Sequence, residues 1–166
     1  PTRRTMGRQH QDRMRAALAG GLKAMRLSAK TEYASLAVLE LALRQDRDEP
    51  VRIREIADAH CVPSRFLVQI LLQLKAAGLV TSTRGSAGGY RLARDASEIT
   101  LADIRDVIEG SGDQASAFAA EMPQSRGGEV LHNAWREVAR CERAALRSLD
   151  LASLTARTKA AAEAMY

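Results

Sequence analysis

Ser64, Arg65 and Gln69 bring a hydroxyl, a guanidinium and a carboxamide to the start of one helical segment. A carboxamide pairs with adenine through two hydrogen bonds, and a guanidinium pairs with guanine or grips a phosphate. Further on, Arg84-Gly85-Ser86 opens a glycine-rich loop that closes on Gly88-Gly89-Tyr90. A guanidinium at the tip of a hairpin, next to a glycine, suits entry into a minor groove or a hold on a phosphate. Gly88 and Gly89 are expected to adopt positive φ and let backbone approach backbone. Both groups lie in a stretch, Ala59 to Arg94, that lacks any acid yet keeps Arg65, Lys75, Arg84, Arg91 and Arg94. Bases without acids mark a surface turned towards an anion. A chance gap in a moderately charged chain has the same composition, so the order of the surrounding elements has to decide.

Those elements read as follows. Ser28 caps a helix running to about Gln45, with Leu36, Leu39, Ala42 and Leu43 towards a core. Arg54 to His60 is a short helix carrying Ile56 and Ala57, and His60-Cys61-Val62-Pro63 breaks it. Ser64 to Ala77 is the next helix, with Phe66, Leu67, Ile70, Leu71 and Leu74 as its apolar stripe and Gly78 as its terminator. Leu79–Thr83 and Tyr90–Leu92 form a hairpin. Helix, sharp turn, helix, hairpin is the layout of a helix-turn-helix with a wing. Ala57 lets the two helices cross closely, and Pro63 sets their angle. The N-terminal residues of the second helix are the ones that meet base edges. A small helical domain with an ordinary surface hairpin is the plainer alternative.

The remainder is mostly helical. Thr100-Leu101-Ala102-Asp103 is a capping box opening a helix to about Glu109, with Leu101, Ile104, Val107 and Ile108 inward. Residues 110–128 have weak periodicity and read as a long loop. A long helix spans about Glu129 to Leu149, with a stripe of Leu131, Trp135, Val138, Cys141 or Glu142, Ala145 and Leu149. The tail, 150–166, is helical near its start. The fold class is mainly α with a small β-hairpin wing: a winged helix-turn-helix plus a long C-terminal helix.

Composition bounds the alternatives. The chain has 166 residues, 46% of them apolar and 4% aromatic, with a net charge of +5. That is enough apolar material for a buried core. No apolar run is long enough to span a membrane, and the apolar core of a secretory signal is missing. Two cysteines, Cys61 and Cys141, suggest a reducing compartment, hence the cytoplasm. Cys141 reads as a small buried hydrophobe on its stripe. Cys61 precedes the second helix, where a lowered thiol pKa would make a redox switch, but a satisfied turn residue is the preferred reading. The charge is concentrated at the start, where Arg3, Arg4, Arg8, Arg13, Arg15, Lys23, Arg26 and Lys30 meet a single acid, Asp12. Residues 1–24 read as a flexible or partly helical basic arm, adding phosphate contacts. A transit peptide, or a start called ahead of Met25, fits the same composition. An enzyme finds no support, because His10, His60 and His132 lack metal spacing and the glycine loop does not precede a helix.

Taken together, Met25-Arg-Leu-Ser-Ala-Lys-Thr-Glu-Tyr-Ala34, Ile56-Ala57, Val62-Pro-Ser-Arg-Phe-Leu-Val-Gln69, Ala77-Gly-Leu-Val80 and Arg84-Gly-Ser-Ala-Gly-Gly-Tyr90 resemble the Rrf-two (Rrf2) family of bacterial winged-helix regulators. Thr100-Leu-Ala-Asp-Ile104 and Trp135 also fit, and the resemblance covers about residues 25–155. Members include an iron–sulfur cluster regulator, nitric-oxide-sensing repressors and a cysteine-metabolism repressor. The resemblance implies a cytoplasmic homodimer that binds a double-stranded operator, most simply as a repressor, and answers a small-molecule or protein effector. It implies DNA contacts from Ser64, Arg65, Gln69, Arg84, Gly85 and Ser86, and pairing of the long helix through Leu131, Trp135, Val138, Cys141, Ala145 and Leu149. The chain then divides into a basic extension (1–24), a winged helix-turn-helix (25–94), a linking helix with a degenerate sensor loop (95–128) and a dimerisation helix with its tail (129–166).

The sequence departs from the family at two points. Val68 stands where the cluster regulator has an acidic residue that tunes site choice. Cluster-binding relatives carry three close cysteines before the long helix, since cluster irons are held by thiolates. Here Ala117, Pro123 and Glu129 stand at those places, and residues 110–132 contain no cysteine. His132 and Glu32 match positions that ligate clusters in relatives, but without thiolates they read as polar surface or structural groups. The expectation is a member with no cofactor and no metal site. An adaptor that keeps the fold and regulates mainly through a protein partner is the alternative function.

Overall fold

The structure is a computed structural model that describes residues 27–85, 87–110 and 125–164. In chain order the elements are α1 (Ala29–Leu43), α2 (Ile53–His60), α3 (Ser64–Ala76), β1 (Val80–Thr83), β2 (Gly89–Leu92), a short 3-10 turn (Ala96–Glu98), α4 (Leu101–Glu109), α5 (Arg126–Arg147) and α6 (Leu151–Glu163). Residues 1–24, with the basic arm, lie outside the described residues, as do Ser86, Ala117 and Pro123.

The element boundaries follow from local chemistry. Ser28 Oγ accepts a hydrogen bond from the Thr31 N–H at 3.1 Å and starts α1. Thr100 and Asp103 form the expected capping box: the Asp103 carboxylate accepts from the Thr100 N–H at 2.8 Å, and Thr100 Oγ1 accepts from the Asp103 N–H at 3.3 Å. Gly78 takes φ 71° and ends α3. The long helix begins earlier than its periodicity suggested. Ser125 caps it, its Oγ accepting from the Gly128 N–H at 3.1 Å, so Gly127 and Gly128 are helical and not part of a loop. In the tail, α6 continues to Glu163.

One core holds residues 27–110 together with the start of α6. α1 packs against α3, α4 and α6. Ala34, Ala37, Val38 and Leu41 of α1 meet Ile56 of α2, Leu67, Ile70, Leu71 and Leu74 of α3, Ile104 of α4 and Leu151 of α6. The buried face of α1 is rotated from the expected one: Leu36, Leu39 and Leu43 are only half-buried, while Glu40 is buried. Tertiary partners cause the rotation. Glu40 is ion-paired with Arg44, and the imidazole N–H of His60 donates to its carboxylate at 3.1 Å. Arg44 reaches on to Glu55 at 2.8 Å. A buried charge with two such partners is tolerated where a lone one is not.

The hairpin has two antiparallel strands, in register Val80 with Leu92 through Thr83 with Gly89. A third segment was not legible in the sequence. Val51 exchanges both backbone hydrogen bonds with Tyr90, at 2.9 and 2.8 Å, along the free edge of β2. A second such clasp joins Thr100 to Asp150, where the Leu101 N–H donates to Leu149 and the Leu151 N–H to Ile99.

Candidate nucleic-acid interface

The turn between α2 and α3 is made by Cys61, not by Pro63. Cys61 takes the left-handed conformation at φ 53° and ends α2, and the Val62 N–H returns to the Ala57 carbonyl at 3.1 Å. Pro63 serves as the cap position of α3 at φ −62°. It offers no side-chain acceptor, and the first turn of α3 carries no acid. The positive end of that helix dipole therefore goes uncompensated by the helix's own cap and first turn, a setting that favours an external anion. Ala57, at the crossing of α2 and α3, is buried as required.

Four buried leucines and isoleucines fix the rotation of α3 and leave Ser64, Arg65, Val68, Gln69, Leu72 and Gln73 exposed. Phe66 was expected in the core stripe and is instead 45% exposed. It leans on Tyr33, with ring centroids 6.1 Å apart, and the Arg65 guanidinium lies 4.9 Å from its own centroid. That contact steadies Arg65 at the surface.

The five bases of the acid-free stretch divide into two kinds. Lys75 donates to Ser82 Oγ at 2.6 Å and clips α3 to β1. Arg91 donates to the backbone carbonyls of Arg47 and Asp48, and Arg94 donates to the Gly78 carbonyl at 3.3 Å. These three hold the wing to the head. Arg65 and Arg84 are exposed, on α3 and on the hairpin loop. The sequence does not separate the two kinds, because the partners of the bound bases are mostly backbone carbonyls, which carry no residue signature.

Of the two properties expected of the wing glycines, the close approach of backbone to backbone is present and the positive φ is not. Neither Gly88 nor Gly89 has positive φ; among the described residues of the loop, Gly85 does, at 108°. A Cβ on Gly88 would stand 2.3 Å from the Thr83 carbonyl oxygen, and one on Gly89 would stand 2.6 Å from the Val51 oxygen. Both positions are close backbone approaches, one across the loop and one across the Val51 clasp. Tyr90 is half-buried and packs on the core. Ser86 lies outside the described residues.

The long helix presents the other face of interest. Along α5 only Leu146 is buried, while Val130, Leu131, Trp135 and Val138 are exposed, Trp135 by 50%. Cys141, expected to be buried, is exposed in the single chain, as is Ala145, and Leu149 is half-buried. α5 is held to α4 by ion pairs of Arg105 with Glu142, at 3.1 Å, and of Arg143 with Asp106. At the C-terminal end of α4, the Glu109 carboxylate accepts from Thr31 Oγ1 at 2.7 Å and from the Ser28 N–H at 3.3 Å.

The donor set of a cluster does not assemble. Cys61 lies at the α2–α3 turn and Cys141 on α5, Glu32 and Glu129 are exposed in the first turns of α1 and α5, and His132 is half-buried on α5. Among the described residues no three His, Cys, Asp or Glu side chains group as metal ligands. Among the described residues, too, no helix is long and apolar enough to cross a membrane.

Comparison with known proteins agrees with this geometry. The family model described as Rrf2, iron-dependent transcriptional regulator, matches residues 27–157. The HTH-type transcriptional regulator IscR of Photorhabdus laumondii is 33% identical over 130 residues, covering 78% of this chain and 79% of the relative. Among solved structures, T. potens IscR superposes with a TM-score of 0.67 at 32% identity, covering 83% of this chain and 93% of that one. CymR, the global cysteine regulator of B. subtilis, superposes with a TM-score of 0.68 at 28% identity, covering 80% and 97%. The chain belongs to the Rrf2 family of winged helix-turn-helix, DNA-binding transcriptional regulators.

Proposed function

We propose that the protein acts in the cytoplasm as a homodimer that occupies an operator and represses transcription, without an iron–sulfur cluster. α3 enters the major groove of each half-site, with Ser64, Arg65 and Gln69 towards the bases, and the wing brings Arg84, Gly85 and Ser86 to the flanking backbone. Gly88, Gly89 and Tyr90 keep the wing in shape. The observation that carries the reading is the division of the bases: three hold the wing, and Arg65 and Arg84 are left exposed in the stretch of chain that lacks acids. The uncovered stripe of α5 supports the homodimer, since Leu131, Trp135 and Val138 gain most by meeting the same stripe of a second copy, with Cys141, Ala145 and Leu149 alongside. An effector, small molecule or protein, would reach the head through α4, which is fastened to α5 at its middle and to the start of α1 at its C-terminal end.

The test is selection of bound sites from random duplex DNA with the full chain, followed by binding of the selected site by Arg65→Ala, Gln69→Ala and Arg84→Ala. Loss of sequence preference in the first two and a smaller salt dependence in the third are the expected outcomes. Unchanged binding in all three would remove α3 and the wing from the interface.

A further inference from the structure

The outward face of α3 is not uniformly polar. Arg65 and Gln69 form one row along it, at i and i+4. Beside it runs a second row, Val68 and Leu72, also at i and i+4. Both are large apolar side chains open to solvent, Val68 by 40% and Leu72 by 51%. Neither serves the core, which α3 meets through Leu67, Ile70, Leu71 and Leu74. Phe66, the third large apolar residue exposed on α3, has a partner within the chain in Tyr33.

The one apolar group that a duplex offers in its major groove is the C5-methyl of thymine. It lies on the base pair whose adenine is read by a carboxamide such as that of Gln69. An aliphatic row beside a carboxamide on one helix face is therefore matched to A·T pairs: the amide reads adenine, and the aliphatic carbons cover thymine methyls. A phosphate contact would leave Val68 and Leu72 without a matching surface, and a G·C pair offers them no methyl group.

We propose that Val68 and Leu72 determine specificity by packing on thymine methyl groups in each half-site, with Gln69 on the paired or adjacent adenine. The proposal rests on α3 being the reading helix. Its consequence is an A·T-rich element in the operator, set by shape and methyl contact and not by charge.

Replacing thymine with deoxyuridine removes only the methyl group and leaves base pairing intact. Sites selected from random duplexes with the full chain are resynthesised with single thymine-to-uracil changes, and binding is measured for the wild type, Leu72→Ala and Val68→Ala. The expected result is a loss of about fourfold per contacted methyl for the wild type, the affinity equivalent of burying one such group. The loss disappears at one position in Leu72→Ala and at a neighbouring position in Val68→Ala. Both variants alter exposed side chains, and unchanged melting curves verify their folding. Indifference of the wild type to every uracil change, or equal sensitivity in both variants, overturns the proposal. Gln69→Ala separates the two levels. If it changes the selected sequence while uracil is tolerated everywhere, the methyl contact alone falls; if neither has any effect, the assignment of α3 falls and the proposal with it.

Discussion

The head of the molecule and its long helix are built on opposite terms. In the head, α1 to α4, the hairpin and the start of α6 bury one shared core, and even the charged Glu40 is enclosed with its partners Arg44 and His60. Along α5, by contrast, only Leu146 is buried, and the largest apolar side chains face outward. The head can satisfy its apolar surface by itself. α5 cannot, and isolated helices draw most of their stability from the packing of an apolar face. The head is thus built to fold on its own core, and on the proposed function the uncovered stripe of α5 is the surface for assembly.

Substitutions can be aimed at one side of that contrast at a time. Trp135→Ala should act twice across a symmetric interface and raise the dimer dissociation constant by at least about thirtyfold, as sedimentation equilibrium would register. The melting temperature of the head should move far less. Arg84→Ala should leave both assembly and melting in place. It should weaken binding to the selected duplex by about 1–3 kcal/mol, or lower the slope of log affinity against log salt by about one for each phosphate that is no longer neutralised. Lys75→Ala is its control, because Lys75 clips α3 to β1; it should reduce thermal stability and change the salt slope less.

Gly89→Ala attacks the head alone. A Cβ 2.6 Å from the Val51 oxygen forces the clasp open, and overpacking of this kind costs about 1–3 kcal/mol. Chemical denaturation should record that loss, with the oligomeric state unaltered at temperatures where the head is folded. The smallest effect is a dependence on pH. Backbone and side-chain hydrogen bonds from Ser153 hold the Asp150 carboxyl below the ordinary aspartate value of 3.8. The folded chain then binds fewer protons there than the unfolded chain. The stabilisation is present above pH 3.8 and declines as pH falls through the folded value. Asp150→Asn should flatten that part of the stability profile, a change that thermal melts taken between about pH 5 and pH 2 would reveal.

Much of this was legible in the residues. Ser28, Thr100 with Asp103, and Gly78 announce helix ends because capping is local chemistry, and α1, α3 and α4 begin or end where those residues require. The exposed face of α3 was legible because its apolar residues recur at helical spacing, with the exception of Phe66. What stayed hidden depends on distant partners. Glu40 is buried because Arg44 and His60 meet it there, which α1's own pattern does not reveal. The Val51 clasp is a single residue pair, too short to give alternation. The start of α5 at Arg126 overrides the low helix propensity of Gly127 and Gly128. The positive φ sits at Cys61 and Gly85, because the turn geometry follows the packing of α2 on α3 and the loop's closure on Thr83, not the position of proline or of paired glycines.

The stoichiometry and selectivity of the complex with DNA bear most directly on all of this. Sedimentation of the full chain with a duplex chosen from random sequence should give two chains per duplex, and competition should show a preference of at least about a thousandfold over unrelated duplex at physiological salt. A single chain per duplex, or equal displacement by unrelated DNA and by heparin, would contradict it.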